Sequence, residues 1–489
     1  MKAKFLSAIC LLLIGVGCQS DIEKELTEAP LSQENIHNIL DEASTLKEVN
    51  PALSLENAQK GLTLSKSINY ANGELRAYSI LSALYMYQFN DLNKSHYYLE
   101  EYGKVMKQKE SQIDLSRYYY NKGVAYYNEK KFTESYRFLI KAKALYEELG
   151  NNKGLSNTYY TLGLIRSETF QYDEAKSHFE KSRQLASEAK YDLIEIASLE
   201  QYGNILLWEG NFRKANEYFK KSTSLALEVN DLENVADGLN VTGYCLIRLG
   251  HYSDAQHTLS EARRYAEKAN SDIEKGNLNL YLSYLEGTKG NHETGRSYLD
   301  NAVKIFQSLD MQDKLMEVYG QMAWHNTNLG DLEEAKASIE KGLTYIQSAR
   351  KIDTDQFFVY AYEVAKATGS QADTYRYKYE QANLELDRRR KNDMAGMMKV
   401  QAEHEEAIAA NKLELDKAAL ALEQAQVEKL NLTRGMVVAF ILLLVVAGAS
   451  LSIGFINNFR ASNDLRKLSK DFLNNSSEIL QKYGASNRR

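Results

Sequence analysis

A small residue recurs at every fortieth position from Ser95, through Ser135, Ala175, Ala215, Ala255 and Gly295 to Ala335, without slipping by one. A fixed step in the range of about 20 to 50 residues marks a stacked array whose units bury their apolar faces on their neighbours. Other columns keep the same register. Ala43, Ala83, Gly123, Gly163, Gly203, Gly243, Ser283 and Ala323 are all small. Leu99, Leu139, Phe179, Phe219, Leu259, Leu299 and Ile339 are all large and apolar, and Ala142, Ser182, Ser222, Ala262, Ala302 and Gly342 are small again three residues later. Small and large residues alternating at helical spacing predict the buried face of an α-helix.

Turn signals fall between the helices of each unit, at Gly210-Asn211-Phe212, Gly250-His251-Tyr252, Gly290-Asn291-His292 and Gly330-Asp331-Leu332. Glycine suits a C′ position with φ > 0, and the polar residue after it suits the approach to the next helix. Each unit is therefore expected to be a helical hairpin. Gly203, the run Gly210-Asn211-Phe212-Arg213-Lys214-Ala215, Phe219 and Ser222 resemble the tetratricopeptide repeat (TPR). Its usual unit is about 34 residues. The proline that often closes the repeat is absent here, which longer second helices would explain.

The resemblance implies an all-α, TPR-like solenoid of about eight forty-residue hairpins over 36–355, after a linker at 18–35. A degenerate ninth hairpin is expected at 356–382, with its turn at Gly369-Ser370 and with Tyr379 and Ala382 in the packing columns. Its second helix reads on into 383–434 as a long helix or coiled coil. Ile408, Leu415 and Leu422 keep heptad spacing there, with Ala418, Ala425 and Leu432 alongside. A homodimeric seam and a single charged helix lying along the array both fit. Only Pro30 and Pro51 could interrupt helix, and Asn50-Pro51 reads as an N-cap followed by N1.

The formal net charge of −6 with no basic stripe along the repeats argues against nucleic acid as a partner of the array. Cys10 and Cys18 fall in the leader and leave Cys245 alone in the body. Residues 1–17 read as a secretory signal, with Lys2 and Lys4 before the apolar run from Phe5 to Val16. Gly15-Val16-Gly17-Cys18 resembles a bacterial lipobox, which implies lipidation at Cys18; ordinary signal cleavage is the alternative. Residues 435–457 read as a transmembrane helix, since Met436 to Ile456 carries no charge over a length that crosses roughly 30 Å of hydrocarbon. A basic tail at 458–489 follows, and Leu465, Leu468, Phe472 and Ile479 in it either continue a dimer seam or lie on anionic lipid. The positive-inside rule then places the protein in the bacterial inner membrane as a single-pass protein, array periplasmic and tail cytoplasmic.

In tetratricopeptide arrays the first helix of each unit lines the groove. Transferring that geometry places Asn157, Tyr160, Glu200, Asn204, Asn240, Tyr244, Asn277 and Tyr284 there, with Trp324 further along, Tyr120, Val124 and Tyr127 earlier, and Arg117 and Asp237 on the same surface. A carboxamide both donates and accepts, so Asn157, Asn204, Asn240 and Asn277 are candidate contacts to a peptide backbone, and Tyr160, Tyr244, Tyr284 and Trp324 to its side chains. Asparagines that only bond their neighbours, and rings that only pack between repeats, are the structural alternatives. The eight histidines are scattered without metal-ligand spacing, and no phosphate loop or nucleophile elbow occurs, so no metal, no cofactor and no catalytic role are expected.

The order of signal, repeats, rod, membrane helix and tail resembles the sensor half of bacterial TPR signalling proteins, without their kinase, diguanylate cyclase or helix-turn-helix output domain. The expectation is a receptor or adaptor that binds a peptide or protein and relays this to a cytoplasmic effector protein through its tail. A structural envelope scaffold with a passive membrane anchor is the alternative.

Overall fold

A computed structural model describes residues 32–109, 111–345, 351–369, 372–429 and 469–471. The signal, Cys18, the span 435–457 and nearly all of the tail lie outside the described residues. The chain divides into two compact units at Leu149 and Gly150.

Unit 1 holds three hairpins: α1 (Gln33–Leu46) with α2 (Pro51–Ser67), α3 (Ala71–Tyr87) with α4 (Leu92–Lys109), and α5 (Gln112–Asn128) with α6 (Phe132–Glu148). Asn50 caps α2 by accepting from the Leu53 amide at 3.2 Å, with Pro51 at the first helical position. Ile36, Leu40, Ala43, Leu81 and Leu84 lie in one core, and Leu99 and Leu139 are fully buried.

Unit 2 holds six hairpins: α7 (Asn152–Glu168) with α8 (Tyr172–Glu188), α9 (Asp192–Trp208) with α10 (Phe212–Glu228), α11 (Leu232–Arg248) with α12 (Tyr252–Ala269), α13 (Asp272–Thr288) with α14 (His292–Ser308), α15 (Gln312–Leu329) with α16 (Leu332–Leu343), and α17 (Lys351–Thr368) with α18 (Ala372–Lys429). The repeat is not lengthened in its second helix alone, as the sequence reading had it. In the second of these hairpins α9 and α10 are both 17 residues long, so two equal helices and two short connections fill the step.

The columns pack as the periodicity predicts. Ala175, Ala215, Ala255 and Ala335 are inaccessible to solvent, as are Phe179, Leu259, Leu299 and Ile339. The small residue of each first helix faces the large residue of its second: a Cβ on Gly203 would sit 2.7 Å from Cε2 of Phe219. Helix ends repeat a left-handed residue. Gly210, Gly250, Gly290 and Gly330 have φ between 74° and 86°, while the equivalent position between hairpins is held by Lys190, Asn230, Asn270 and Asp310 at φ of 50° to 58°. Glycine meets no steric penalty there, and asparagine and aspartate tolerate the conformation best among the rest.

The placement in the inner membrane needs correction. Among the described residues no helix is long and apolar enough to cross a membrane. The longest, α18, carries runs such as Arg388-Arg389-Arg390-Lys391, whose charges oppose burial in hydrocarbon. Ile408 and Leu415 of α18 face solvent in the single chain. Earlier along α18 the helix docks on unit 2 itself. The Arg390 guanidinium lies over the Phe170 ring of the α7–α8 turn, 5.5 Å from its centroid, and Met397 and Val400 are buried.

Candidate functional site

The first helices of unit 2 bring a buried polar cluster and a row of rings onto one face. Glu274 belongs to the first turn of α13, where Ser271 Oγ accepts from its amide and donates to Glu233 on α11. Thus seated, the Glu274 carboxylate accepts from Asn240 Nδ2 at 2.9 Å and from Asn277 Nδ2 at 3.2 Å. Asn240 also donates to the Glu274 carbonyl, at 3.2 Å. Both carboxamides thereby point their nitrogens at one carboxylate. Their Oδ1 atoms are buried and accept nothing, although Asn240 is wholly inaccessible and Asn277 nearly so. An unpaired buried acceptor of this kind costs about 1–3 kcal/mol.

Glu200 on α9 accepts from Ser222 Oγ on α10 at 2.7 Å. Burial, and then repulsion from Asp237, Asp231 and Glu274, raises its carboxyl well above the ordinary carboxylate range. Burial and repulsion from Asp237 raise Glu274 in the same way, against the opposing bonds from the two asparagines and the field of Lys314. Asp237 is raised by burial, with Lys314 opposing and Glu233 reinforcing. Lys314 on α15 stands 3.6 Å from Glu317.

Beside the acids runs a ladder of rings. Tyr244 and Tyr284 lie 5.6 Å apart, Tyr284 and Trp324 5.8 Å, and Trp324 and Tyr360 6.2 Å, so the row crosses from α11 to α17. Tyr281 joins it 5.4 Å from Tyr244. Arg248 donates to the Tyr244 hydroxyl at 2.7 Å and covers Phe212 at 4.2 Å. Burial pushes the Tyr244 phenol up to about 12. That ring stays neutral at physiological pH, and all the rings present π faces, which attract cations.

Of the residues expected in a groove, Asn240, Asn277, Tyr244, Tyr284 and Trp324 are brought together. Asn157 instead turns back to the Lys153 carbonyl of its own helix at 3.1 Å, and Tyr160 packs on Phe179 with centroids 5.8 Å apart. Asn204 is half-buried on α9. Glu274, Lys314, Glu317, Tyr281 and Tyr360 escaped the sequence reading, and a step of 37 would have found several of them. Glu200, Asp237 and Glu274 keep that step, as do Asn240, Asn277 and Lys314, and Tyr244 and Tyr281. It is one repeat less about one helical turn, the diagonal that joins neighbouring first helices.

Tetratricopeptide repeat family models match residues 114–188 and 317–348. A curated relative, tetratricopeptide repeat protein 29 of Trypanosoma brucei brucei, is 28% identical over 209 residues, 39% of this chain and 43% of that protein; the match thus spans less than half the relative's length. Among solved structures the fold is similar to the apo form of RapI, with a TM-score of 0.54 at 18% identity over 73% of this chain and 98% of that one. It is similar also to the apo quorum sensor NprR from B. thuringiensis, with a TM-score of 0.53 at 17% identity over 67% and 92%. A Rap protein complexed with competence and sporulation factor gives 0.50 at 13% identity over 73% and 100%. At these identities the likeness is one of fold: an all-α TPR-like solenoid.

Proposed function

We propose that the first-helix face of unit 2 binds a peptide or an extended protein segment, and that the protein acts by binding rather than by catalysis. The observation that carries this is the pair of buried, unpaired Oδ1 atoms on Asn240 and Asn277 beside the ladder of rings. Reaching those oxygens requires the face to open around Asn240; backbone amides of an extended chain then supply the donors they lack, whatever its side chains are. Tyr244, Tyr284 and Trp324 take the side chains, and Asn204, Asn157 and Tyr160 extend the contact toward α7. The fold shared with a quorum sensor and with a Rap protein solved in complex with a factor supports the reading. The occupied state passes to a protein effector through α18, whose exposed Ile408 and Leu415 offer a seam to a second helix, including that of a second copy.

Display selection of random peptides on the full chain tests the binding role. Enrichment of a peptide set that Asn240→Ala with Asn277→Ala weakens about tenfold or more is the expected result. No enrichment, or enrichment indifferent to both substitutions, refutes it.

A further inference from the structure

The turn inside each hairpin of unit 2 holds a left-handed residue. It is glycine at Gly210, Gly250, Gly290, Gly330 and Gly369, and a bulky ring at Phe170, with φ of 61°. A side chain of that size is strained there, and the other turns close without one. The Phe170 ring is half-buried between Tyr172 of α8, with centroids 6.1 Å apart, and the Arg390 guanidinium of α18 at 5.5 Å. Tyr172 in turn meets Trp208 of α9 at 5.5 Å. The residues equivalent to Tyr172 in later hairpins touch the ladder of rings itself: Phe212 meets Tyr244 at 6.2 Å, and His292 meets Trp324 at 5.4 Å. Phe170 thus stands at the α7 end of the row whose other end is Tyr360 of α17.

Helix α18 ties these two ends together. From Ala372 to Arg390 it runs about 27 Å at 1.5 Å per residue. The first helices α7 and α17 are five steps apart, about 40–50 Å in a straight stack at 8–10 Å per step. Even with the reach of Arg390 added, so short a rod joins them only as a chord, on the inner side of a curved stack. First helices line that side. Along α18, Arg390, Met394, Met397 and Val400 are turned from solvent, while Arg388, Arg389, Lys391 and Lys399 are exposed. This is the pattern of a helix lying by one side on a surface.

We propose that α18 is an autoinhibitory strap: docked on Phe170, it covers the ring-lined face of unit 2, and a ligand reaches Tyr244, Tyr284 and Trp324 only by displacing it. The strained ring at Phe170 is retained because it is the strap's anchor. The nature of the ligand rests on the peptide reading above; the covering of the face does not.

Two variants of the full chain release the strap from opposite sides, Arg390→Ala with Met397→Asp on α18, and Phe170→Gly, which gives the turn the residue its neighbours carry. Circular dichroism checks their fold, and faster hydrogen exchange at Arg390–Val400 reports release; unchanged exchange in both overturns the dock. The chain's two tryptophans, Trp208 and Trp324, both lie on the row of rings. Acrylamide should therefore quench their fluorescence more steeply in the released variants than in the parent, with no ligand present. Equal quenching despite release shows that α18 does not cover the face and overturns the strap. Peptides selected by display on the α18 variant should bind it about tenfold or more tightly than they bind the parent, the factor by which a mostly docked strap lowers apparent affinity. Equal binding, or tighter binding to the parent, overturns autoinhibition and leaves the peptide reading standing. Where neither form selects a peptide, that reading fails and the quenching alone decides the strap.

Discussion

Gly295 breaks a column that is otherwise alanine through unit 2, and restoring the alanine should harm the protein. A methyl on Gly295 would overlap the ring of His325, which is fully buried and held by Ser283 Oγ at 2.8 Å on one nitrogen and by His292 Nδ1 at 3.1 Å on the other. The helix propensity gained is about 1 kcal/mol. Displacing a ring bonded on both sides leaves buried polar atoms unpaired for about 1–3 kcal/mol and overpacks the contact for about as much again. Gly295→Ala should therefore be less stable by about 2 kcal/mol net, a fall of a few degrees in the thermal midpoint. The neighbouring repeat shows what relieves it, since Ala255 packs there with Leu285 in place of the histidine. The double variant Gly295→Ala with His325→Leu should recover most of the loss, a strongly non-additive cycle. Its pH profile should change as well. Burial and the neighbouring His292 hold His325 down to about 4, below its ordinary range near 6.5. Between those values the unfolded chain binds the extra proton, so this site's stability is full above about pH 6.5 and is lost as pH falls toward 4. Replacing His325 should flatten that limb. Thermal and urea denaturation of the single and double variants from pH 4 to 8 measure both effects. A Gly295→Ala variant as stable as the parent, or a double variant no better than the single one, would refute the packing argument.

Three further outcomes follow from the same geometry. Gly210→Ala, at φ 74° with open space around its Cβ position, should cost about 1 kcal/mol from backbone strain alone, read by urea denaturation. Asp237→Asn with Glu274→Gln should raise stability increasingly as pH climbs above the ordinary carboxylate range, about 4. There the unfolded carboxyls ionise first and the folded ones keep their protons, so the parent loses stability with rising pH and the variant does not; parallel profiles would contradict the sign. Phe170→Ala should remove the ring under Arg390 and speed hydrogen exchange at Met397–Val400, and unchanged exchange there would show that this contact does not hold α18.

The hairpins were legible because their packing repeats in register: the step that aligns Ala215 with Ala255 also aligns Phe219 with Leu259, and both pairs are buried. The equal lengths of α9 and α10 were not, because the left-handed residue that ends the second helix is Asn230 or Lys190 rather than glycine, a weaker and less regular signal than the glycine of the turn within each hairpin. The asparagines and rings of the candidate site could be read because they face one way from successive first helices. Glu200 and Asp237 could be placed on that surface by the repeat geometry, but Glu274 could not, because the 37-residue diagonal that joins the three acids is invisible to a forty-residue comparison, which sets each against an unlike residue. Docking of α18 rests on Arg390, Met397 and Val400, which belong to no repeat and so had nothing to align with.

The ladder and the long helix meet at one hairpin. The rings end on Tyr360 of α17, and α17 is the helix that pairs with the start of α18. A ligand lying on Trp324 and Tyr360 therefore touches the element from which α18 departs. It shifts α18 only if its affinity differs between the docked and released arrangements. A tenfold difference supplies about 1.4 kcal/mol. One cation–π contact contributes about 0.5–2 kcal/mol. The Arg390–Phe170 contact is thus of a size that a modest difference in ligand affinity can offset, whereas the buried Met397 and Val400 add a hydrophobic term that a weak ligand cannot. Occupancy of the face should accordingly loosen or tighten the Arg390 end of the dock first. Hydrogen exchange along α18 with and without a selected peptide would resolve that order, and a change confined to Ile408–Leu415 with none at Arg390–Val400 would break the proposed link.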